Sequence, residues 1–229
     1  MQTQQSRKNQ DCLNITMYGD AINQVDSVKY LGVVIDDRLT WQHQLVQIQK
    51  VVQGKLAILR RLSNYLPCSL LENIHLSCIQ PNLDYADTVW NICGVNGIRS
   101  TQKLQNYAAR IICKNFDFVN VRGEELVNTL GWQPLVKRRN FHTAVLMYKC
   151  INNLAPDYLC DEITRCSEVF NYLTRSANSL NVIVPRANKN CFKKSFSYNG
   201  AITWNGLANS KREAEDLITF KSKYKECYF

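Results

Sequence analysis

The stretch Val28-Lys29-Tyr30-Leu31-Gly32-Val33-Val34-Ile35-Asp36-Asp37-Arg38-Leu39-Thr40-Trp41 carries the change of pattern on which the fold turns. Its first half, Val28 to Ile35, is rich in β-branched and aromatic residues, the composition of a strand. Asp36-Asp37 ends that strand and Thr40 is placed to cap a helix. From Trp41 to Asn64 the apolar residues recur at steps of three and four, with Leu45, Ile48, Val52, Leu56, Leu59 and Leu62 on one face. Lys50, Lys55, Arg60 and Arg61 lie elsewhere on the same helix. Upstream, Leu13 to Met17 alternates apolar and polar, Gly19-Asp20 supplies a turn, and Ala21 to Val25 can return. A small antiparallel sheet is therefore expected over residues 13–36.

Downstream the pattern is helical. Pro67 breaks the first helix, and a second is expected from Ser69 with Leu70, Leu71, Ile74, Leu76 and Ile79. Pro81 kinks or divides it before Leu83 to Trp90. Gly94 and Gly97 read as a loop. Ile98 to Lys114 follows as an amphipathic helix bearing Leu104, Tyr107, Ala108, Ile111 and Ile112. Glu124 to Leu130 is a short helix stopped by Gly131, and Pro134 opens one that runs to Asn153. Pro156 starts a helical turn, Leu180 to Val184 reads as strand or extended chain, and Ala201 to Leu207 and Ala214 to Tyr228 read as helices. The fold class is mainly α with a small N-terminal antiparallel β-sheet, an α+β chain.

With 229 residues, 45% of them hydrophobic, the chain can bury one large or two small cores. It has no run of about 18 apolar residues, and its polar start, Met1 to Asp11, is unlike a signal peptide. The expected location is the reducing cytosol or nucleus, with neither secretion nor a membrane span. The 10 cysteines are scattered, several within apolar helical patterns, and read as small buried hydrophobes with free thiols. Net charge is +9 and uneven: residues 1–136 carry 13 Lys/Arg against 11 Asp/Glu, residues 137–229 carry 15 against 8. A basic second half points to a polyanion, most simply nucleic acid, or to a solvated surface.

Catalytic motifs do not emerge. Tyr85-Ala86-Asp87-Thr88 resembles the aspartate turn of a polymerase, but the second carboxylate of the pair is a threonine and the surroundings read as helix. Asp84 and Asp87 can share a helix face, with no third acidic residue beside them in sequence. Asp36 and Asp37, as strand neighbours, point to opposite faces and suit a turn. His75 and Cys78 are one helical turn apart, and a zinc site there would need Cys93 and a fourth ligand such as His43 or Cys68; ordinary buried side chains are the expectation, with no metal ligands and no catalytic residues. Basic residues mixed with aromatics are more promising: Lys137, Arg138 and Arg139 open a helix that carries Phe141, His142 and Tyr148, and Lys189, Lys193 and Lys194 sit beside Phe192, Phe196 and Tyr198. Such mixtures can hold phosphates while rings stack on bases; they can equally be the wet and dry faces of helices.

From Val28 to Trp41 with His43, then through Leu59-Arg60-Arg61-Leu62 and Ile79-Gln80-Pro81-Asn82-Leu83-Asp84-Tyr85-Ala86 to Trp90, the chain resembles reverse transcriptases of non-LTR retrotransposons, the long interspersed elements related to CR-one and jockey types. In that family the last stretch reads RPxLEYxxxxW. Leu104 to Arg110 is similar to its LQNxAARxI, and Leu130 to Leu135 with Arg138-Arg139 to its LxWLPLxxRR. Tyr148-Lys149, Ala155 to Leu159, Leu173 to Ser176, Trp204 to Leu207 and Phe220-Lys221 also match, with Ala208 in place of a family proline. Each motif is weak alone; their order and spacing cover nearly the whole chain after residue 13.

The resemblance implies the end of the palm and the polymerase regions C-terminal to it. A tail over residues 1–12 would be disordered, 13–38 would be an end-of-palm hairpin, 39–132 a helical thumb-like bundle, and 133–229 a basic helical tail. The primer-grip role falls on Lys29, Tyr30, Leu31 and Gly32; thumb and tail contacts to a template–primer duplex of RNA or DNA fall on Lys50, Lys55, Arg60, Arg61, Lys137, Arg138, Arg139, Lys193 and Lys194. Fingers, catalytic palm and its Mg²⁺ would lie upstream, so this chain by itself would hold no cofactor and would not polymerise. Its partners would be nucleic acid and those upstream domains, with self-association through apolar surface they would otherwise cover. A free-standing nucleic-acid-binding module and a non-catalytic helical interaction protein are the alternative readings.

Overall fold

The computed structural model describes residues 15–91, 93–169, 180–188 and 192–226. The chain opens with two separate hairpins, not the single sheet expected. Strand β1 (Ile15–Met17) pairs with β2 (Asp20–Ile22), and β3 (Ser27–Tyr30) with β4 (Val33–Asp36), both antiparallel. Each turn has two residues with positive φ, Tyr18-Gly19 and Leu31-Gly32, the geometry that matches strand twist in a tight hairpin. The second hairpin is fastened to the body at two points near its turn. Tyr85 Oη donates to Leu31 O at 2.6 Å, and Val34 N–H donates to Gln44 Oε1 at 2.8 Å, which occupies the outer edge of β4.

Helix α1 (Gln42–Leu62) begins one residue later than expected, and Thr40 does not cap it. The residue that organises the turn is Asp36. Its carboxylate accepts from the backbone N–H groups of Arg38 (3.1 Å), Thr40 (2.9 Å) and Trp41 (2.7 Å) and from Thr40 Oγ1. Trp41 is left with φ of 63° and a buried ring. Leu45, Ile48, Val52, Leu56 and Leu59 form the buried face of α1 as the spacing predicts.

Next come α2 (Cys68–Ile74), a π-helical turn (His75–Ile79), α3 (Gln80–Asp84) and α4 (Asp87–Trp90). Proline at 81 removes one N–H and would crowd a carbonyl of a regular helix, so the wider turn is where the chain accommodates it. Cys78 O accepts there from Lys55 Nζ (2.8 Å) and Asn82 Nδ2 (2.7 Å). Gly94 and Gly97 lie inside α5 (Gly94–Ile112), not in a loop. A Cβ at Gly97 would come within 2.6 Å of Leu45 Cδ1, so glycine lets α5 cross α1 closely.

Helix α6 (Gly123–Thr129) stops at Gly131, whose φ is +68°, and α7 (Leu135–Ile151) follows Pro134. Then come α8 (Asp157–Cys160), α9 (Cys166–Val169), a 3₁₀ turn (Phe192–Lys194), α10 (Phe196–Asn205), α11 (Asn209–Arg212) and α12 (Leu217–Glu226). Of the two readings for 180–184, strand or extended chain, the structure has extended chain with a single bridge, Arg165 to Val182, and Asn205 clamps the Val182 backbone through both amide atoms. Residues 1–12, Leu173 to Ser176 and Lys189 lie outside the described residues.

The chain is mainly α with small antiparallel β elements at its start. Two apolar clusters hold it. The first runs from Val33 to Leu135 and includes Trp41, Trp90 and Trp132; the second runs from Ala144 to Tyr224 around Trp204 and Phe220. Helix α7 contributes to both. Among the described residues no helix is long and apolar enough to cross a membrane.

Asp36 gives the first test. Burial opposes its charge, but the hydrogen bonds from Thr40, Trp41 and Arg38 outweigh that and hold the carboxyl below its ordinary 3.8. Asp36→Ala leaves three amides unpaired and should destabilise the fold by about 3 kcal/mol in urea unfolding at pH 7. Because the folded pKa is depressed, that contribution is present above pH 3.8 and fades as pH falls through the folded value.

Candidate nucleic-acid interface

The C-terminal half of α1 and the middle of α5 lie side by side and leave a cleft of about 930 Å³ between them. Helical spacing explains its walls. Gln49, Gln53, Ala57 and Arg60 are successive i, i+4 or i+3 neighbours on α1, and Ser100, Lys103 and Tyr107 stand likewise on α5. Leu56 and Leu104, both buried, form the floor, and Phe116 closes one end. Three cations line it, Arg60, Arg61 and Lys103, and the lining includes no carboxylate. Arg60 is aimed by its neighbours: Nη1 donates to Tyr107 Oη at 2.7 Å, and its guanidinium sits 5.1 Å from the centre of the Phe116 ring.

Of the residues read as nucleic-acid contacts, Arg60 and Arg61 meet in this cleft. Lys50 is exposed on α1 outside it, and Lys55 is engaged by the Cys78 carbonyl and by Asn82 Oδ1 at 3.1 Å. Lys29, Tyr30, Leu31 and Gly32 form the exposed tip of the second hairpin. Lys103, Tyr107 and Phe116 are cleft residues that sequence reasoning misses. Spacing puts Tyr107 on an apolar face, and only the polar end of a half-buried tyrosine hints at an edge position.

The basic start of α7 is different from a solvated face. Lys137 is exposed. Arg138 donates through Nε to both Asp84 oxygens at 2.8 Å, with Nη2 2.7 Å from Oδ2. Arg139 is a correction to the surface reading. It is 1% exposed, lies 4.4 Å from the centre of the Trp90 ring, and donates through Nη2 to Thr101 Oγ1. Burial pulls its pKa below the ordinary value, with Cys93, Asp87 and Asp84 opposing. Spacing hides this, because Arg138 and Arg139 look equivalent until the helix is docked. Lys193 is exposed in the 3₁₀ turn; the side chain of Lys194 lies outside the described residues.

Asp84, Asp87 and His142 bring three donor atoms within 4.8 Å of one another, a set that sequence spacing does not assemble. These donors are engaged. Arg138 takes both Asp84 oxygens, and His142 Nδ1 lies 2.6 Å from Asp87 Oδ2. Burial raises the pKa of Asp87, and the His142 contact opposes that. Phosphoryl transfer needs carboxylate oxygens free to hold Mg²⁺. The cluster does not fit that role; it ties α3 and α4 to α7. His75 stacks on Trp132 at 4.1 Å and contacts Gln80 Oε1, whose amide reaches Asp84. Among the described residues, Cys68, Cys78, Cys93 and His43 do not gather around it.

No protein-family model matches the chain, and no solved structure matches it. Two curated proteins of Drosophila melanogaster are similar over part of it. One, described as a probable RNA-directed DNA polymerase from transposon BS, is 27% identical over 135 residues, which is 57% of this chain and 14% of that protein. The other, described as a probable RNA-directed DNA polymerase from transposon X-element, is 30% identical over 94 residues, 40% of this chain and 10% of that protein. The chain thus matches a small fraction of the length of these relatives. It contains a region related to transposon RNA-directed DNA polymerases.

The network beside α7 generates a pH prediction. Burial depresses the pKa of His75 from 6.5 to about 4, so the folded chain holds it neutral while the unfolded chain protonates it. Stability is full above pH 6.5 and falls as pH drops toward 4, at up to about 1.4 kcal/mol per pH unit. In His75→Phe, which keeps a ring on Trp132, urea unfolding at pH 7, 6 and 5 should show a shallower decline. Asp87 acts with the opposite sign in both proteins and cancels from the difference.

Proposed function

We propose that this chain is the C-terminal part of a non-LTR retrotransposon reverse transcriptase, and that its work is to hold a template–primer duplex. The observation that carries this reading is the α1–α5 cleft, with Arg60, Arg61 and Lys103 on its walls and no carboxylate among its lining residues. Phosphates along a nucleic-acid backbone attract such a surface at long range, and rigid helices set the contacts in register. The relationship to transposon polymerases supplies the polymer class.

In this reading α1 to α6 act as a thumb, and Lys50 extends the basic face of α1. The hairpin tip Lys29-Tyr30-Leu31-Gly32 is the primer grip. Tyr30 and Leu31, 64% and 74% exposed, are available to a primer end or to the palm that precedes them. Lys137 and Lys193 extend contact into the second half, while Arg138 and Arg139 serve the protein's own interior. Mg²⁺ and catalytic aspartates belong to upstream domains, and without those the bare hairpins promote self-association. The protein works in the cytoplasm or nucleus, where its nucleic acid is found.

Fluorescence anisotropy with a labelled RNA–DNA duplex tests the reading. Affinity should fall steeply with salt, and Arg60→Gln/Arg61→Gln/Lys103→Gln should flatten the logarithmic salt slope by roughly 2–3. Absence of salt-dependent binding would reject the proposal, as would a triple variant whose slope equals that of the wild type.

A further inference from the structure

The loop between α5 and α6 presents apolar residues to water: Phe116 is 39% exposed, Phe118 65% and Val119 91%. Exposed rings on a slack loop would carry little meaning. This loop is held from below. Arg110, buried at the end of α5, donates through Nη1 to Asp117 O (2.8 Å) and through Nη2 to Val121 O (2.6 Å). Asp117 Oδ1 accepts from the N–H groups of Val119 and Asn120, both at 2.9 Å, and its Oδ2 accepts from Asn120 Nδ2. Those bonds employ the carboxylate nearest the rings and fix the turn.

The Arg110 guanidinium also lies 4.4 Å from the centre of the Phe118 ring, so a cation supports the ring while most of the residue stays in solvent. Phe116 lines the basic cleft under Arg60. A fixed, cation-supported aromatic, Phe118, therefore stands two residues along the same loop from Phe116, which lines a cleft walled by Arg60, Arg61 and Lys103. Charge complementarity selects an anionic polymer as the occupant, and a preset ring binds without the entropy of ordering a loop.

We propose that Phe118, with Phe116 beside it, is a stacking platform for an unpaired base of a single strand whose phosphates enter the α1–α5 cleft. This rests on the nucleic-acid reading above and adds a contact to the unpaired template that runs on from the duplex. A base stacked on one aromatic side chain contributes enough that its loss weakens binding about tenfold, with little dependence on sequence.

The test uses the full 229-residue chain with a fluorescein-labelled oligo-dT strand. The strand should be about 16 nucleotides long, near the upper site size of stacking folds. A blunt duplex of equal length is the comparison. Phe118→Ala should weaken single-strand binding about tenfold, leave duplex binding unchanged and leave the salt slope unchanged, while Phe118→Trp restores affinity. A 2-aminopurine placed in the strand should lose fluorescence on binding the wild type and not on binding Phe118→Ala. Urea unfolding confirms that the variants are folded. If the wild type binds neither probe, both the functional reading and this inference fail. If it binds with the expected salt dependence and Phe118→Ala retains single-strand affinity, only the platform fails, and the exposed rings belong to a protein partner or to a second copy of the chain.

Discussion

A single buried cation holds the two halves of this molecule in one arrangement. Arg139 lies between the Trp90 ring of α4 and Thr101 of α5, yet it belongs to α7, the helix that feeds the second core. A charge removed from water costs several kcal/mol unless its surroundings replace the hydration. Here the face of an indole, one hydroxyl and the nearby Asp84 and Asp87 do so in part, while Nε and Nη1 make no hydrogen bond. A cation on a desolvated aromatic face contributes about 2 kcal/mol, which does not cover that cost alone. The flanking pairs, Arg138 with Asp84 and His142 with Asp87, supply the remaining attraction and lock α7 in register. Removing His142 would strand the buried Asp87, and removing Asp84 or Asp87 would take a counter-charge from Arg139, so the arrangement is specified as much by what it forbids as by what it gains.

That joint leaves the cleft face of α1 and α5 undisturbed. On α7 Arg138 is drawn to the Asp84 carboxylate, whereas Arg60, Arg61 and Lys103 on α1 and α5 face a cleft whose lining has none. The chain's positive charge is weighted toward residues 137–229, but much of the basic start of α7 is engaged internally. Local arrangement, not regional net charge, decides where a polyanion can sit.

Periodic features are legible in the sequence. The buried face of α1, the Gly131 stop and the helix after Pro134 follow from spacing and residue type alone. Sequence and structure part where a distant partner overrides a local preference. Gly97 looks like a loop residue until Leu45 of α1 is seen to occupy the space its Cβ would take. Thr40 has the chemistry of a cap, but its hydroxyl accepts only a long bond from Gln42 N–H (3.4 Å), while Asp36, four residues earlier, accepts from the Thr40 and Trp41 amides with a full charge. Arg138 and Arg139 differ only once Trp90 and Asp84 are placed against α7. Arg60 and Arg61 can be nominated from one helix, while Lys103, Tyr107 and Phe116 require the crossing of two.

The central claim is that nucleic acid occupies the cleft between α1 and α5. Amide hydrogen–deuterium exchange, with and without a single-stranded oligonucleotide, measures this without altering the protein. The account predicts slowed exchange over residues 49–64, 100–107 and 115–121, with residues 196–226 unchanged. Protection confined to α7 and the helices after it would place the contact on the other half of the molecule and contradict the account.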